Sequence, residues 1–348
     1  MPREAFCIGD VEVAPGTRAT IDLPMARLYT NNAITIPVQV VHGKIKGPTV
    51  FVCAAIHGDE INGVEIIRRL LRHRTMDRLH GTLVAVPIVN VHGFIHRSRY
   101  LPDRRDLNRS FPGSETGSLA ARVAHLFLGQ IVGRCTHGID LHTAAAHREN
   151  LPQIRADLDN PEAARLAEAF GAPVMLNADM RDGSLRAVAD EMGVPILVYE
   201  AGEALRFNEM AIRSGVTGVV AVLRALDMLP AKRRKKNPTT PIAARSTVWV
   251  RASQSGILRA ATPLGAWVKK GDSLGTIADP FGAQETEVLA TAGGTVIGRC
   301  TLPLVNEGEA LYHIARFEEP QAAEAAVQQH IEQWLDFDLV PGDEPPIV

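Results

Sequence analysis

The chain has 348 residues, of which 46% are hydrophobic and 22% charged, a composition typical of a folded protein with more than one domain. Its 37 basic and 39 acidic residues leave a net charge of −2, which excludes a global field that would recruit nucleic acid or a membrane surface. Four scattered cysteines predict no disulfide framework, and the first residues contain no apolar signal region, so a cytoplasmic location is expected.

The first 229 residues predict an α/β domain. Residues 1–45 contain short alternating stretches typical of antiparallel strands. Apolar runs then alternate with segments of helical periodicity, which predict strands near 49–56, 83–89, 137–141, 173–177 and 194–200 and helices near 60–73, 117–133, 161–170, 184–192 and 208–228. This order predicts a mixed, mostly parallel sheet flanked by helices, with ligands bound outside the carboxyl ends of the strands.

The stretch AAIHGDEING, residues 54–63, presents His57 and Glu60 directly after an apolar run. An imidazole and a carboxylate at this spacing are suitable metal ligands. A lone H-x-x-E also occurs by chance at helix N-termini, where acidic side chains complement the helix dipole. A third ligand further along the chain decides between the two interpretations.

The stretch SRYLPDRRDLNRSFPG, residues 98–113, contains Arg99, Asn108 and Arg109 among turn residues. Amide and guanidinium groups are planar donors suited to a carboxylate. We interpret Arg104 and Arg105 as charged residues of a surface loop.

The stretch THGIDLHTAAAHREN, residues 136–150, offers His142 at the end of a short apolar strand. Asp140 lies two residues earlier on the same strand face and is placed to orient the imidazole. His147 is a rival ligand in a more polar segment. The stretch HRENLPQIRAD, interpreted as a loop on the substrate side, adds Arg148 and Arg155.

The stretch PILVYEAGEA, residues 195–204, ends an apolar run with Glu200. A carboxylate there is either a buried partner for an arginine or a general base. The second interpretation is favoured because the other motifs end at the same edge of the predicted sheet.

The helical pattern stops at Pro230. Residues 230–245 carry three prolines and a basic run at 232–236, which predict a solvated linker. Residues 246–318 predict a small all-β barrel-sandwich whose glycine pattern resembles a biotinyl/lipoyl-type domain. No lysine follows Lys270, so the expected hairpin tip near 280–282 has no residue to carry a prosthetic group, and the domain is structural or regulatory. Residues 319–348 predict a helix near 321–334 and a tail.

Four motifs in this order, H-G-D-E, D-L-N-R-x-F-P-G, D-L-H-T and Y-E-x-G, resemble the succinylglutamate desuccinylase/aspartoacylase family, a branch of the zinc carboxypeptidase-like fold. The resemblance spans roughly residues 45–230, and the β segment behind it resembles the C-terminal domain of the family. It implies that His57, Glu60 and His142 bind one Zn²⁺ per chain.

The same resemblance implies that Arg99 polarises the scissile carbonyl and Glu200 is the general base. Asn108 and Arg109 would hold a substrate carboxylate, with Arg148 and Arg155 as further substrate-side residues. The interval from Arg99 to Asn108 is about two residues longer than the family pattern, which leaves Arg97 as a substitute for Arg99.

The implied reaction is hydrolysis of the amide of a small N-acyl amino acid by a zinc-bound water, with acetyl or another short acyl group expected rather than succinyl. A carboxypeptidase-like peptidase or an esterase shares the metal site, and a non-catalytic zinc-binding protein is a further alternative, against which the intact Glu200 argues. A closed, arginine-lined mouth favours the small substrate, and an open groove favours a peptide. No nucleic-acid or membrane partner is expected. The β segment is expected to shape the site entrance or form a subunit contact, so a homo-oligomer stays open.

Overall fold

The structure is a computed structural model that describes residues 3–178, 181–231 and 241–336. The α-helices in these residues are α1 (Asn62–Arg72), α2 (Val91–His96), α3 (Leu119–Gln130), α4 (Pro161–Phe170), α5 (Leu185–Glu191), α6 (Glu209–Ala225) and α7 (Pro320–Asp336). The strands before Pro230 are β1 (Phe6–Ile8), β2 (Val11–Val13), β3 (Thr17–Arg27), β4 (Ala33–His42), β5 (Ile45–Ala54), β6 (His80–Val86), β7 (His137–Ala144), β8 (Arg148–Ala156), β9 (Val174–Asn177) and β10 (Ile196–Glu203).

The strands after Pro230 are β11 (Ile242–Ala244), β12 (Ser246–Arg251), β13 (Gly256–Ala260), β14 (Trp267–Val268), β15 (Ser273–Ala278), β16 (Glu285–Leu289), β17 (Gly294–Cys300), β18 (Leu304–Val305) and β19 (Ala310–Arg316). The described part of the chain contains no helix with the length and apolarity needed to cross a bilayer.

A 13-stranded mixed sheet organises the molecule, in the order β12-β19-β17-β8-β10-β7-β5-β6-β4-β3, with β9 beside β8, β11 beside β9 and β14 beside β17. The predicted mixed α/β fold is confirmed. The sheet is parallel across β10-β7-β5-β6 and across β8-β9-β11. Among the described strands before Pro230, four pairings in this sheet are parallel and three are antiparallel. Antiparallel strands from the C-terminal β segment extend the sheet, so the sheet as a whole is mixed.

Helices cover both faces of the parallel centre, as the continuous apolar strands predict. Along β5, Val50 and Val52 face a core shared with α1, α4 and α6. Phe51 and Cys53 face the opposite core, shared with α3 and α5. Burial on both faces fixes the register of β5 and so positions the turn that follows it.

Strand β8 corrects the interpretation of residues 147–157 as a loop. It pairs with β10, β9 and β17. Polar and charged residues such as Arg148 and Arg155 obscure its strand pattern because they line a cavity, and Pro152 weakens the strand signal further. A second correction concerns Glu60, which lies in the turn before α1 rather than in the first helical turn.

The C-terminal β segment contains a four-stranded sheet, β16-β15-β13-β18, beside β12, β19 and β17. Both groups of strands share an apolar core that includes Val250, Leu274, Val296 and Ile314. Strand β17 pairs with β8, so the segment continues the large sheet. The predicted linker at 230–245 lies mostly outside the described residues, as do the basic run 232–236 and the tail 337–348. The end of that linker is not irregular, because β11 pairs with β9.

Candidate active site

Three side chains converge where β5 and β7 end. His57 and Glu60 lie on the turn after β5, and His142 lies on β7. One ligand atom from each residue lies within 4.8 Å of the others. The Nδ1 atoms of His57 and His142 lie 2.7 Å from Oε1 and Oε2 of Glu60, respectively. The three residues of the predicted metal site therefore form one buried cluster.

A carboxylate lies behind each imidazole. His57 Nε2 is 3.2 Å from Asp106 Oδ1, and His142 Nε2 is 2.8 Å from Asp140 Oδ2. Such outer carboxylates fix the tautomer and orientation of metal-binding histidines. With Nε2 occupied on both rings, Nδ1 is the atom that each histidine directs toward Glu60.

The donor set fits a zinc ion. Two imidazole nitrogens and one carboxylate are a known catalytic zinc set, with a position left open for water or substrate. Glu60 is 2% exposed. Burial opposes ionisation of this carboxyl, but the two imidazoles outweigh that effect and hold its pKa well below the usual range. The anionic ligand is thus favoured at neutral pH.

The glycine of H-G-D-E has a packing role. Gly58 lies against the backbone of α2, and a Cβ there would come within 2.0 Å of the carbonyl carbon of Gly93. The turn carrying His57 therefore packs more closely on α2 than any side chain permits.

Arg99, not Arg97, faces the cluster. Arg99 donates from Nη1 to Glu60 Oε1 at 3.2 Å and from Nη2 to Asp106 Oδ2 at 3.1 Å. Arg97 is exposed and ends α2 in a left-handed conformation with φ of 53°. The rival ligand His147 is exposed as well and lies outside the cluster of three.

Glu200 lies on β10 directly beside His142 in the parallel register with β7. Asn150 donates to Glu200 Oε2 at 2.8 Å, and Arg155 Nε lies 3.5 Å from Glu200 Oε1. Despite these two contacts, the carboxylate of Glu200 remains partly exposed and lines the cavity. Glu200 therefore has an arginine beside it, and its carboxylate also lines the cavity.

Asn108 and Arg109 also line the cavity. Asn108 Oδ1 accepts a hydrogen bond from Leu185 N, at the start of α5, at 2.9 Å. Because the oxygen makes this contact, the amide N–H donors of Asn108 point away from Leu185. Arg109 is exposed, lines the cavity and donates to the backbone carbonyl of Asn108.

A cavity of about 740 Å³ connects these residues. Eight arginines line it: Arg99, Arg109, Arg148, Arg155, Arg181, Arg186, Arg245 and Arg299. The lining carboxylates are Glu60, Asp140 and Glu200. The C-terminal β segment contributes Trp249 and His313 to the wall.

Several of these residues were not singled out from the sequence. Asp106 stands inside the quoted D-L-N-R motif, so its motif was visible but its contact with His57 was not. Asn150 belongs to the stretch interpreted as a loop. Trp249, His313 and Arg299 gave no signal, because they lie in a segment interpreted as structural or regulatory.

A family model described as the succinylglutamate desuccinylase/aspartoacylase catalytic domain matches residues 46–226, just over half of the chain. An N-alpha-acetyl-L-2,4-diaminobutyric acid deacetylase from Halomonas elongata is 26% identical over 308 residues, which cover 82% of this chain and 87% of the relative.

Solved structures share the fold. A product-bound structure of the ectoine utilization protein EutE (DoeB) from Ruegeria pomeroyi superposes with a TM-score of 0.77 at 24% identity, covering 86% of this chain and 95% of the other. A succinylglutamate desuccinylase/aspartoacylase from Rhodobacter sphaeroides gives 0.76 at 24% identity, covering 86% and 96%. At these identities the structural similarity supports the fold alone.

Proposed function

Because the chain belongs to the succinylglutamate desuccinylase/aspartoacylase family, we propose that it is a zinc-dependent deacylase that hydrolyses the amide of a small N-acyl amino acid. The similarity to a deacetylase that is named for an N-acetylated amino acid supports this reaction class. The observation that carries the proposal is the convergence of His57, Glu60 and His142 beside Glu200 in an arginine-lined cavity. A volume of about 740 Å³ suits a small molecule.

In this mechanism His57, Glu60 and His142 hold one Zn²⁺. The ion would supply Lewis-acid activation of water and of the scissile carbonyl. Asp106 and Asp140 lie against Nε2 of the two imidazoles, so they orient the rings and leave each Nδ1 as the atom that would bind the ion. Burial of the cluster excludes bulk water and strengthens the electrostatic interactions within it.

Glu200 moves the proton. It takes a proton from the attacking water and delivers it to the leaving nitrogen, which becomes the free amine. Asn150 holds one carboxylate oxygen of Glu200 and leaves the other on the side of Arg155. Arg99 lies beside Glu60 and stabilises the negative charge that develops on the carbonyl oxygen.

Asn108 and Arg109 bind the α-carboxylate of the substrate. The amide N–H groups of Asn108 and the guanidinium of Arg109 supply planar donors to the cavity, and the guanidinium adds charge assistance. We assign Arg148 and Arg155 to the substrate side of the cavity. The substrate is therefore an N-acyl amino acid with a free carboxylate, and a cytoplasmic location stays a prediction.

A panel of N-acyl amino acids tests this function, with zinc-loaded protein and release of free amine as the measurement. Glu200→Gln is expected to retain zinc and the melting temperature but to lose about 10²–10⁴-fold in kcat, since it cannot accept the proton. Glu203→Gln, on the same strand and outside the cavity lining, is the matched control. Near-normal turnover of the Glu200 variant would remove this residue from the mechanism.

We further propose that residues 246–318 form a biotinyl/lipoyl-like domain without a prosthetic group. The turn between β15 and β16, where such a group would be attached, has the sequence DPFGAQ at residues 279–284 and contains no lysine. Intact-mass measurement should give the mass of the unmodified chain, and a biotin or lipoate adduct within this segment would refute the proposal.

A further inference from the structure

Asn62 is a buried polar side chain to which the mechanism above assigns no role. It is the first residue of α1, two positions after the proposed ligand Glu60, and is 1% exposed. Its Nδ2 donates to the carbonyl of Ala201 at 3.2 Å, and its Oδ1 accepts from the backbone N–H of Asn208 at 3.1 Å. Because one partner is a carbonyl and the other an N–H, only one orientation of the amide satisfies both. A single side chain thus joins the start of α1 to the end of β10 and to the residue that caps α6.

Strand β10 is irregular directly after the proposed base. Glu200 pairs with His142 on β7 and Glu203 pairs with Ala144, so three steps along β10 match two steps along β7. A bulge of this kind leaves the extra residue without a ladder partner and changes the direction of the side chains beside it. Ala201 lies within the bulge, and the amide described above supplies the donor for its carbonyl. The bulge therefore has its anchor on the segment that carries the metal-binding turn.

The glycine of the Y-E-x-G motif makes room for this anchor. Gly202 has a φ of 76°, in the left-handed region that favours glycine. A Cβ at Gly202 would lie 2.5 Å from Nδ2 of Asn62 and 3.2 Å from the Cβ of Asn208. A side chain at this position would push the amide away from the bulge. Glycine is thus required here both by the backbone conformation and by the close approach of Asn62.

A second contact joins the same two segments through the backbone alone. The N–H of Leu205, in the loop after β10, donates to the carbonyl of Asp59 at 2.8 Å. This contact does not depend on the amide of Asn62, so the loop is expected to stay attached to the turn when that amide is removed. The bulge that follows Glu200 would then lose its anchor without separation of the two segments.

We infer that Asn62 is a positioning residue that sets the distance between the metal-binding turn and the proposed base Glu200. It acts through Ala201, the neighbour of Glu200 in the chain, and it is not one of the residues that line the cavity. This inference rests on the proposed function for the roles of Glu60 and Glu200. Displacement of a reacting group by about 1 Å costs on the order of a hundredfold in rate, so the loss of this anchor has a measurable effect on kcat.

Asn62→Ala tests the inference in zinc-loaded protein, with the best substrate from the panel of N-acyl amino acids. We expect kcat to fall by about 10- to 100-fold while KM stays nearly unchanged, because the residues that line the cavity are intact. The melting temperature should also fall, since a buried carbonyl and a buried N–H lose their partner. Unchanged kcat in the folded variant, or a change in KM alone, would overturn the inference.

Asn160→Ala is the matched control. Asn160 also lies at the start of a helix, where its side chain accepts from two backbone N–H groups of α4, and it is outside the cavity lining. This variant should lower the melting temperature through the lost cap but retain the kcat of the parent. The comparison separates a general loss of stability from a displaced base, and an equal fall in kcat in both variants would count against a specific role of Asn62.

Gly202→Ala displaces the same amide from the other side and remains informative if Asn62→Ala does not fold. It is expected to lower kcat with KM nearly unchanged. The double variant should lose about as much in kcat as the more affected single variant, because both substitutions break one contact. Losses that multiply in the double variant would show that the two residues act independently, and would contradict the inference.

Amide hydrogen exchange provides a readout that needs no turnover. Exchange in the segment 199–204 is expected to be faster by about tenfold or more in Asn62→Ala than in the parent, in both the zinc-loaded and the metal-free protein, and unchanged in Asn160→Ala. This result would support the anchoring of β10 by Asn62 even if the parent hydrolyses none of the amides and the proposed function fails. Exchange that is unchanged in Asn62→Ala would overturn the inference, and with an active parent it would leave the deacylase function standing.

Discussion

Glu60 is the residue on which the proposed metal centre depends, because its two oxygens meet two imidazoles and its backbone turn follows β5 directly. Thr143 N and Arg99 also donate to this carboxylate. Each histidine is held from behind by a further carboxylate. The centre is therefore assembled from three separate stretches of chain, and loss of one ligand leaves the others buried without their partner.

His142→Ala is expected to lower bound zinc from about one ion per chain to nearly none, because two remaining protein ligands are too few for a stable catalytic site. Metal analysis after dialysis, together with amine release, measures both losses. His147→Asn is the control. His147 is exposed and lies outside the cluster, and asparagine readily adopts the left-handed backbone conformation found at this position. Full zinc occupancy in the His142 variant would refute the proposed ligand set.

At this scale, local rules predict some contacts and miss others. The period of two along a strand was enough to place Asp140 beside His142, and the structure shows that pair at 2.8 Å. Asp106 lies 49 residues from His57, and the chain passes through β6 and α2 between them. A contact of that kind depends on tertiary packing, which the spacing of residues does not specify.

At the scale of elements, α1 determines how the turn carrying His57 and Glu60 meets β7. The helix packs on the sheet through Gly63, where a Cβ would lie 2.6 Å from the Cβ of Ala54 and 2.8 Å from the Cβ of Leu141. Leu141 is adjacent to His142 in the chain. The distance between α1 and the sheet is thus coupled to the distance between the ligands.

Gly63→Ala is expected to destabilise the fold by about 1–3 kcal/mol, as overpacking of a tight core does, and to weaken zinc binding because α1 must move away from β5 and β7. Gly129→Ala in α3 is the matched control, since a Cβ there meets no atom within 4 Å. It should be neutral or stabilise by up to about 1 kcal/mol. Urea denaturation of both variants with zinc titration checks this, and an unchanged Gly63 variant would contradict the coupling.

The elements that were predicted well are those with continuous apolar runs or clear caps. Helix α4 is an example: Asn160 caps it, Pro161 opens it and Gly171 follows it in a left-handed conformation. Strand β8 was missed because its inward residues are polar and serve the cavity. A strand that lines the proposed active site thus carries polar residues where a buried strand would carry apolar ones, and its sequence pattern is harder to identify.

At the scale of the whole molecule, a near-neutral chain contains a strongly positive cavity. The net charge is −2, yet eight arginines and three carboxylates line the site. Some of this charge is balanced locally, since Arg99 pairs with Glu60 and Asp106, and Arg155 with Glu200. Composition averages over the chain and could not have revealed the cavity, which exists only because β8, β10 and the C-terminal β segment meet.

The charge of the cavity predicts the charge of the substrate. Zn²⁺ adds two positive charges to a cavity already rich in arginine, and buried unpaired charge is costly, so the site is expected to require an anionic substrate. We expect hydrolysis of N-acyl α-amino acids to exceed that of the matching α-carboxamides. A charge-assisted pair of this kind contributes about 2–5 kcal/mol, which corresponds to a factor of roughly 30 to several thousand in kcat/KM.

Arg109→Ala is expected to remove most of that preference while zinc remains bound, because Arg109 lines the cavity but lies outside the metal cluster. Arg105→Ala, an exposed neighbour outside the cavity lining, should retain the preference of the parent. The measurement is kcat/KM for each acid and its carboxamide in the three proteins. Equal rates on acid and carboxamide in the parent would show that no arginine in this cavity binds the α-carboxylate, and would favour an ester or a peptide as the substrate.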